Sequence, residues 1–360
     1  MATAFDLAAR LGVAAPVVQA PMAGAQDHAL AAAVCEAGGL GSLPAAMLSP
    51  AGLVAEVAAL RARTARPWNL NFFCHPPPLP DAAREQRWRA VLAPFYREAG
   101  LDPAVATGGA SRAPFSAVLA DVVEPLRPPV VSFHFGLPEA ALLARVKAWG
   151  SIVMASATTV DEARWLEAHG ADVVIAQGLE AGGHRGHFLD DDLSRQSGLF
   201  TLLPQVVRAV RLPVLAAGGI ADAAGVAAAR ALGAAGVQVG TAYLGTPEAT
   251  TSALHRALLG TEAARHTALT NLFSGRPARG IVNRLMRELG PLAPDAPAFP
   301  LAGAALAPLR AAAQAQGRTD FSPLWAGQHA AACRTVGADA LTRELAAAWA
   351  AASTLTEARP

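Results

Sequence analysis

The sequence predicts an α/β fold, a (β/α)8 TIM barrel carrying a small additional cap or substrate domain, on three observations. Eight short apolar runs, rich in β-branched residues, alternate with Ala-rich helical stretches between residues 17 and 245. Runs apolar on both faces suit strands buried on both sides, and strands separated by helices imply parallel βαβ units. Eight such units in this length match the usual size of the barrel. The glycine-rich turns best suited to a phosphate come late, after the seventh and eighth runs, where a barrel keeps its phosphate site. A doubly wound sheet would place such a turn after its first strand, and that place is taken here by Ala20-Pro21-Met22-Ala23-Gly24.

The elements follow in order. Val17–Ala20 is a strand stopped by Pro21, and Asp27–Ala37 a helix ended by Gly38-Gly39, a glycine stop of the left-handed kind. Leu40–Leu43 is the second strand, a helix follows from Pro50 to Arg63, and Trp68–Phe73 is the third strand. Val130–Phe135 is the fourth, with Pro138 expected in the first turn of its helix. Ile152–Ser156, Asp172–Gln177 and Pro213–Ala217 are the fifth to seventh, and Val237–Leu244 is the eighth. Residues 74–129, with Pro76-Pro77-Pro78 and several arginines, read as a helical insertion in a barrel domain spanning 1–273. Residues 274–327, rich in Pro and Gly and carrying Arg276, Arg279, Arg284 and Arg287, read as a cap over the barrel mouth. Residues 328–360 read as a helical tail packing on the barrel.

Composition narrows the function classes. Of 360 residues, 53% are hydrophobic and 16% charged, and the mean hydropathy is +0.31. No run of the ~18 uncharged apolar residues needed to span a bilayer occurs; the richest stretch, 213–245, is broken by Asp222, Arg230 and Gln238. The apolar excess is therefore assigned to a large core, and no membrane partner is expected. A net charge of +1 with interspersed signs argues against a nucleic-acid face. Cys35, Cys74 and Cys333 form neither a CxxC pair nor a disulfide framework. With no basic, then apolar, leader, a cytoplasmic enzyme is expected. The oligomeric state stays open, a homo-oligomer among the options.

Three segments carry chemistry. Gln177-Gly178-Leu179-Glu180-Ala181-Gly182-Gly183-His184-Arg185-Gly186-His187 follows a buried strand at the end where barrels keep catalytic groups. Its glycines let backbone N–H groups approach a flat cofactor or an anion, and His184 titrates near neutrality, so it suits a base or a donor. Pro213–Ala217 runs into Gly218-Gly219, and Gly236–Val239 into Gly240-Thr241. Both turns present N–H groups at a helix start, where phosphate is stabilised. Tight strand-to-helix packing is the competing reason for these glycines. His187 with Asp190-Asp191-Asp192 reads as solvated loop charge, since three adjacent acids point apart, and no metal is expected. His134, in phase with Ser132 and Gly136, is placed facing the barrel centre.

Taken together, Gln19-Ala20-Pro21-Met22-Ala23-Gly24, Asn71-Phe72-Phe73-Cys74-His75, Glu180-Ala181-Gly182-Gly183-His184-Arg185-Gly186, Ala217-Gly218-Gly219-Ile220, Gln238-Val239-Gly240-Thr241, Ser274-Gly275-Arg276-Pro277-Ala278-Arg279-Gly280 and Leu324-Trp325-Ala326-Gly327-Gln328 resemble a nitronate monooxygenase (2-nitropropane dioxygenase family) of the bacterial class I type. The resemblance covers nearly the whole chain. It implies non-covalent FMN contacted by Met22, Asn71, Gln177, Gly182, Gly183, Gly218, Gly219, Gln238, Val239, Gly240 and Thr241. Asn71 and Gln177 would meet the flavin ring, and the Gly219 and Gly240-Thr241 backbones the phosphate. His184 is implied as the active-site histidine, a base in members that take nitroalkanes and an anion partner in those limited to nitronates. The implied reaction uses O2 to convert a small anionic nitronate, propionate 3-nitronate for this family, to a carbonyl compound and nitrite through a flavin semiquinone. Arg276, Arg279 and Arg284 are candidate donors to the anion, with cap-to-barrel salt bridging as their alternative. Phe299 stands where similar sequences tend to carry tyrosine, which bears on substrate preference. Two rivals remain: an FMN-dependent NAD(P)H:quinone or enoyl-thioester reductase, and a non-catalytic barrel for a phosphorylated ligand.

Overall fold

The structure, a computed structural model, describes residues 6–102 and 112–357, with side chains through 352. Residues 1–5 of the expected barrel, 103–111 of the expected insertion and 358–360 of the expected tail lie outside the described residues.

The strands are β1 (Val17–Gln19), β2 (Gly41–Pro44), β3 (Trp68–Phe73), β4 (Val130–His134), β5 (Ile152–Ala157), β6 (Val173–Gln177), β7 (Gly183–His184), β8 (Val214–Ala217), β9 (Gly236–Val239), β10 (Thr267–Thr270) and β11 (Ala278–Ile281). Eight of them form one parallel sheet ordered β1-β9-β8-β6-β5-β4-β3-β2. The sheet closes on itself through a parallel bridge between Val18 and Leu40, where Gln19 N–H donates to the Leu40 carbonyl and Leu40 N–H to Val17, both at 2.9 Å. The fold is thus the expected (β/α)8 barrel. Its helices start where the sequence supplies a cap: Asp27, Ser49, Thr159 and Asp222 each accept a hydrogen bond from a first-turn N–H. The eighth strand is shorter than expected, because the chain turns at Gly240 into a 3-10 turn over Thr241–Gly245. Pro138 lies just ahead of its helix, Ala140–Ala148.

Side chains alternate across the barrel wall with period two. Leu70, Phe72, Val131, Phe133, Val153, Val174, Ala216, Val237 and Val239 point outward into the layer beneath the helices. Val18, Leu40, Val130, Met154, Val173, Ile175 and Leu215 point inward and fill the floor, closed from below by Leu7 and Leu11 of the short helix Leu7–Leu11. A polar tier lies above this floor. Asn69 Nδ2 donates to the hydroxyls of Ser42 and Ser132, both at 2.9 Å, and Asn71 Nδ2 to Ser132 Oγ at 3.0 Å. The tier therefore supports a cavity rather than a further packed layer.

The helix Ala82–Glu98 of the insertion shares one apolar cluster with residues around and beyond β10 and β11. Trp88, Leu92, Phe95 and Tyr96 pack with Phe273, Leu285, Met286, Leu306, Leu309 and Phe321. The helix Ala338–Glu357 packs against the helices His28–Glu36 and Ala223–Ala231, taking the outer-ring position that follows β9. Among the described residues, no helix is long and apolar enough to cross a membrane.

Candidate active site

At the C-terminal ends of the strands lies a cavity of about 450 Å³, within the ~300–1,000 Å³ of ligand sites. Its wall includes Met22, Asn71, Gln177, Gly182, Gly183, His184, Gly218, Gly219, Gln238, Gly240 and Thr241. These residues come from five separate stretches of sequence, and the barrel brings them to one mouth. Val239 is the exception. Gln238 and Gly240 face inward, so Val239 between them faces outward into the helix layer, and its carbonyl accepts from Ala20 N–H at 2.8 Å.

The loop after β6 is held by its own polar groups. Arg185, wholly buried, donates to the carbonyls of Gly178 and Gln177, each at 2.7 Å, and to Gln196 Oε1 at 2.8 Å. Burial lowers its pKa to about 9, which leaves it charged at neutral pH. Arg279 reaches across from β11 to the Leu179 carbonyl at 2.8 Å. Glu180 caps the helix Leu199–Ala209, both carboxylate oxygens lying 2.9 Å from Leu199 N–H. Gly182 is required for close approach: a Cβ there would sit 2.5 Å from the Gly327 nitrogen. β7 then pairs with β11, joining the loop to the cap segment through Ala278 opposite His184.

The amide of Gln177 serves this loop. Its Nε2 donates to the His184 carbonyl at 2.9 Å, and its Oε1 accepts from Gly186 N–H at 2.8 Å. One N–H and one lone pair remain for a ligand. His134 does line the cavity, and its Nε2 also donates to the His184 carbonyl, at 3.1 Å. Burial holds the His134 pKa down at about 3, so it is neutral. The His184 ring projects into a cage of aromatic rings, with centroids at 5.2 Å from Phe299, 5.5 Å from Trp325, 6.1 Å from Phe135 and 6.3 Å from Phe73. Its Nε2 lies 2.8 Å from Ser274 Oγ. Burial first, then the charge of Arg112, pushes the His184 pKa well below the usual histidine range. Phe299 stacks edge-on against His75 at 4.7 Å, and no hydroxyl reaches His184 from it.

The three arginines expected to meet an anion go elsewhere. Arg284 pairs with Glu98 at 2.6 Å and Glu288 at 2.6 Å, Arg279 bonds the loop, and Arg276 donates to the His187 carbonyl while lying 4.3 Å over the Phe135 ring. Two arginines that pattern reading overlooked line the cavity instead: Arg112 and Arg310. Burial lowers the pKa of both, and Arg112 lowers that of Arg310 further. Neither meets a carboxylate among the described residues, and Arg310 has only the Phe321 carbonyl, at 3.4 Å. Unpaired cations in a partly closed cavity are costly without an anion. Their signal in the sequence was charge alone, in segments without periodicity. The acids after the loop are spent locally: Asp191 lies 3.3 Å from His187 Nε2, Asp190 pairs with Arg195, and Asp192 caps a turn.

At the other end of the cavity the chain fits a phosphate-bearing, hydrogen-bonding ligand. Gly218 and Gly219 adopt φ of +120° and +72°, a region that side chains disfavour, and a Cβ on Gly218 would meet the Ala181 nitrogen at 3.0 Å. Asp222 then starts the helix Ala223–Ala231, and Gly240 starts the Thr241–Gly245 turn. Among the described residues Gln238 Oε1 is buried with no partner, as are Thr251 Oγ1 and His255 Nε2, and all three residues line the cavity. Buried acceptors and donors without partners are destabilising unless a ligand meets them. The junction of the expected cap and tail completes this end: Gly327 N–H donates to Thr241 Oγ1 at 2.9 Å and His329 Nδ1 to the Gly219 carbonyl at 3.0 Å.

Comparison with known proteins places this geometry. Residues 6–347 match the sequence model of the nitronate monooxygenase family. A nitronate monooxygenase of Paraburkholderia phytofirmans is 45% identical over 340 residues, covering 93% of this chain and 92% of its own. One from Pseudomonas aeruginosa is 43% identical over 339 residues, covering 93% and 96%. Among solved structures, a nitroalkane oxidase from Streptomyces ansochromogenes superposes with a TM-score of 0.88 at 40% identity, over 97% of this chain and 99% of that one. A FabK variant from Thermotoga maritima superposes with a TM-score of 0.71 at 26% identity, over 98% and 97%.

Proposed function

The chain belongs to the nitronate monooxygenase family, and from that premise we propose that it carries out FMN-dependent oxidative denitrification of alkyl nitronates. Propionate 3-nitronate is the proposed substrate, O2 the co-substrate, and a carbonyl compound and nitrite the products. The observation that carries this reading is a histidine caged by aromatic rings in the barrel mouth, beside two desolvated arginines with no carboxylate partner among the described residues. Such a site suits a small anion with an apolar body.

FMN, when bound, supplies the electron acceptor and the means of activating O2. The backbones of Gly218, Gly219, Gly240 and Thr241 would hold its phosphate at two helix starts. Asn71, Gln177 and the unpartnered Gln238 Oε1 would meet its ring. Met22 and the Gly182-Gly183 backbone would close around it.

This chain's own residues then do three things. Arg112 takes the charge of the nitronate, and Arg310 that of a carboxylate at the far end of the substrate, a charge-assisted contact in each case. The rings of Phe73, Phe135, Phe299 and Trp325 exclude water from the reacting carbon. His184, neutral in the resting site, offers its ring to that carbon or to the nitro group. With Phe299 in the cage, anion recognition rests on guanidinium groups and not on a phenol.

The test is direct. Protein loaded with FMN is given propionate 3-nitronate in an oxygen electrode, and nitrite is measured in the same sample. Oxygen uptake with matching nitrite release is expected. A protein that binds FMN yet releases no nitrite from any nitronate contradicts the reading. The FabK likeness makes an NAD(P)H-dependent reductase the second reading, and it requires NADH oxidation in the absence of nitronate.

A further inference from the structure

The protons around His184 can be assigned from the hydrogen-bond network. Ser274 is wholly buried, and its Oγ donates to the Arg276 carbonyl at 3.2 Å. A hydroxyl carries a single hydrogen. With that hydrogen on the carbonyl, Ser274 Oγ faces His184 Nε2 at 2.8 Å as an acceptor, and the hydrogen between them belongs to the ring. The reverse arrangement would leave the Arg276 carbonyl without a donor among the described residues. A neutral imidazole has one N–H and one bare nitrogen, so the bare one is Nδ1. It has no hydrogen-bond partner among the described residues and is not sealed from the cavity that His184 lines.

We propose that Ser274 is a positioning residue: it holds His184 as the Nε2–H tautomer and so presents the bare Nδ1 to the substrate. The inference rests on the reading of His184 as the working histidine of a nitronate site. The ring hangs from a backbone that is itself fixed. His134 Nε2 and Gln177 Nε2 both donate to the His184 carbonyl, and Ser156 Oγ lies 3.0 Å from His134 Nδ1, the acceptor nitrogen of that second ring. Backbone and ring are thus pinned from opposite sides, leaving Nδ1 as the nitrogen that takes the α-proton when the substrate enters as the neutral nitroalkane, the C–H electron pair staying behind as the nitronate. When it gains one, the Nε2–H stays on Ser274, and the imidazolium carries one donor toward each side. The anion's resting charge falls to Arg112, since a bare lone pair attracts no anion.

The test reads the tautomer without turnover. Holoprotein labelled with [15N]histidine is examined by NMR, and the His184 signals are assigned by their loss in His184→Asn. The proposal expects a protonated-type Nε2 and a bare-type Nδ1 in the wild type. In Ser274→Ala it expects a mixture of tautomers and a kcat on 3-nitropropionate, the nitroalkane form of that substrate, lowered by at least ~10-fold, a fraction of what general acid–base groups typically contribute, with KM nearly unchanged. Ser274→Thr, which keeps the hydroxyl, is expected to restore both. A resting His184 protonated at Nδ1, or a Ser274→Ala protein with the wild-type tautomer and kcat, overturns the proposal. If Ser274→Ala does not fold, the wild-type spectrum alone decides. If no nitronate is turned over, the functional reading fails while the tautomer is still measured.

Discussion

Single residues divide between those that meet the ligand and those that hold the site in shape. His184→Asn removes the ring's proton chemistry but no loop anchor, because the bonds to its carbonyl remain. Turnover is expected to fall by about 10²–10⁴-fold, the range for a general acid–base group, with FMN still bound; unchanged turnover, measured by nitrite release, would remove His184 from the mechanism. Arg112→Ala and Arg310→Ala each delete a cation of the cavity wall that has no carboxylate partner among the described residues. A hydrogen bond to a charged group contributes ~1.5–3 kcal/mol, so KM for a carboxylated nitronate is expected to rise about 10- to 100-fold in each. KM for a nitronate without a carboxylate should move with Arg112 but hardly with Arg310. Steady-state kinetics on the pair of substrates checks both statements. At this scale the sequence was half legible. His184 and the glycines announce themselves by motif and strand end. Arg284 does not reveal that its partner is Glu98, 186 residues away, and nothing local distinguishes it from Arg112 or Arg310.

Elements explain why the loop after β6 carries so many special residues. The carbonyls of Gln177, Gly178 and Leu179 are claimed by two buried arginines, and Gly182 lets the loop touch the chain at Ala326-Gly327. Gly182→Ala would press a methyl group into that contact, and overpacking of this kind costs about 1–3 kcal/mol. We expect a lower melting temperature and weaker FMN binding, measured by thermal denaturation and by flavin fluorescence titration. Wild-type values for both would mean that the loop and the Ala326-Gly327 segment need not touch. The run of eight strands was legible because each is a short apolar stretch between helix caps. The end of β9 was not, since Tyr243 and Leu244 look like strand residues and only the turn at Gly240 takes them out of the sheet. Val239 shows the same limit: motif membership included it, and the period of two along the strand turns its side chain away. β7, two residues long, has no sequence period to be read.

The whole molecule carries an acid sensitivity built from buried histidines. Burial holds His75, His187 and His255 at about 4 and His134 at about 3, against an ordinary value of ~6.5. The unfolded chain takes up protons near pH 6.5 that the folded chain refuses until about pH 4 or below, so the stability these groups contribute is present above pH 6.5 and lost as pH falls through that window. The melting temperature is expected to decline steadily from pH 7 to pH 4; a flat profile would mean that these rings are open to water. A barrel that oxidises nitronates and one that oxidises a nicotinamide differ in which of the two reduces the flavin. The protein, loaded with FMN, is mixed without oxygen, separately, with propionate 3-nitronate and with NADH, and the visible flavin spectrum is followed. A prompt spectral change with the nitronate and none with NADH is the predicted result. Bleaching by NADH with no response to the nitronate would make the protein a nicotinamide-dependent reductase instead.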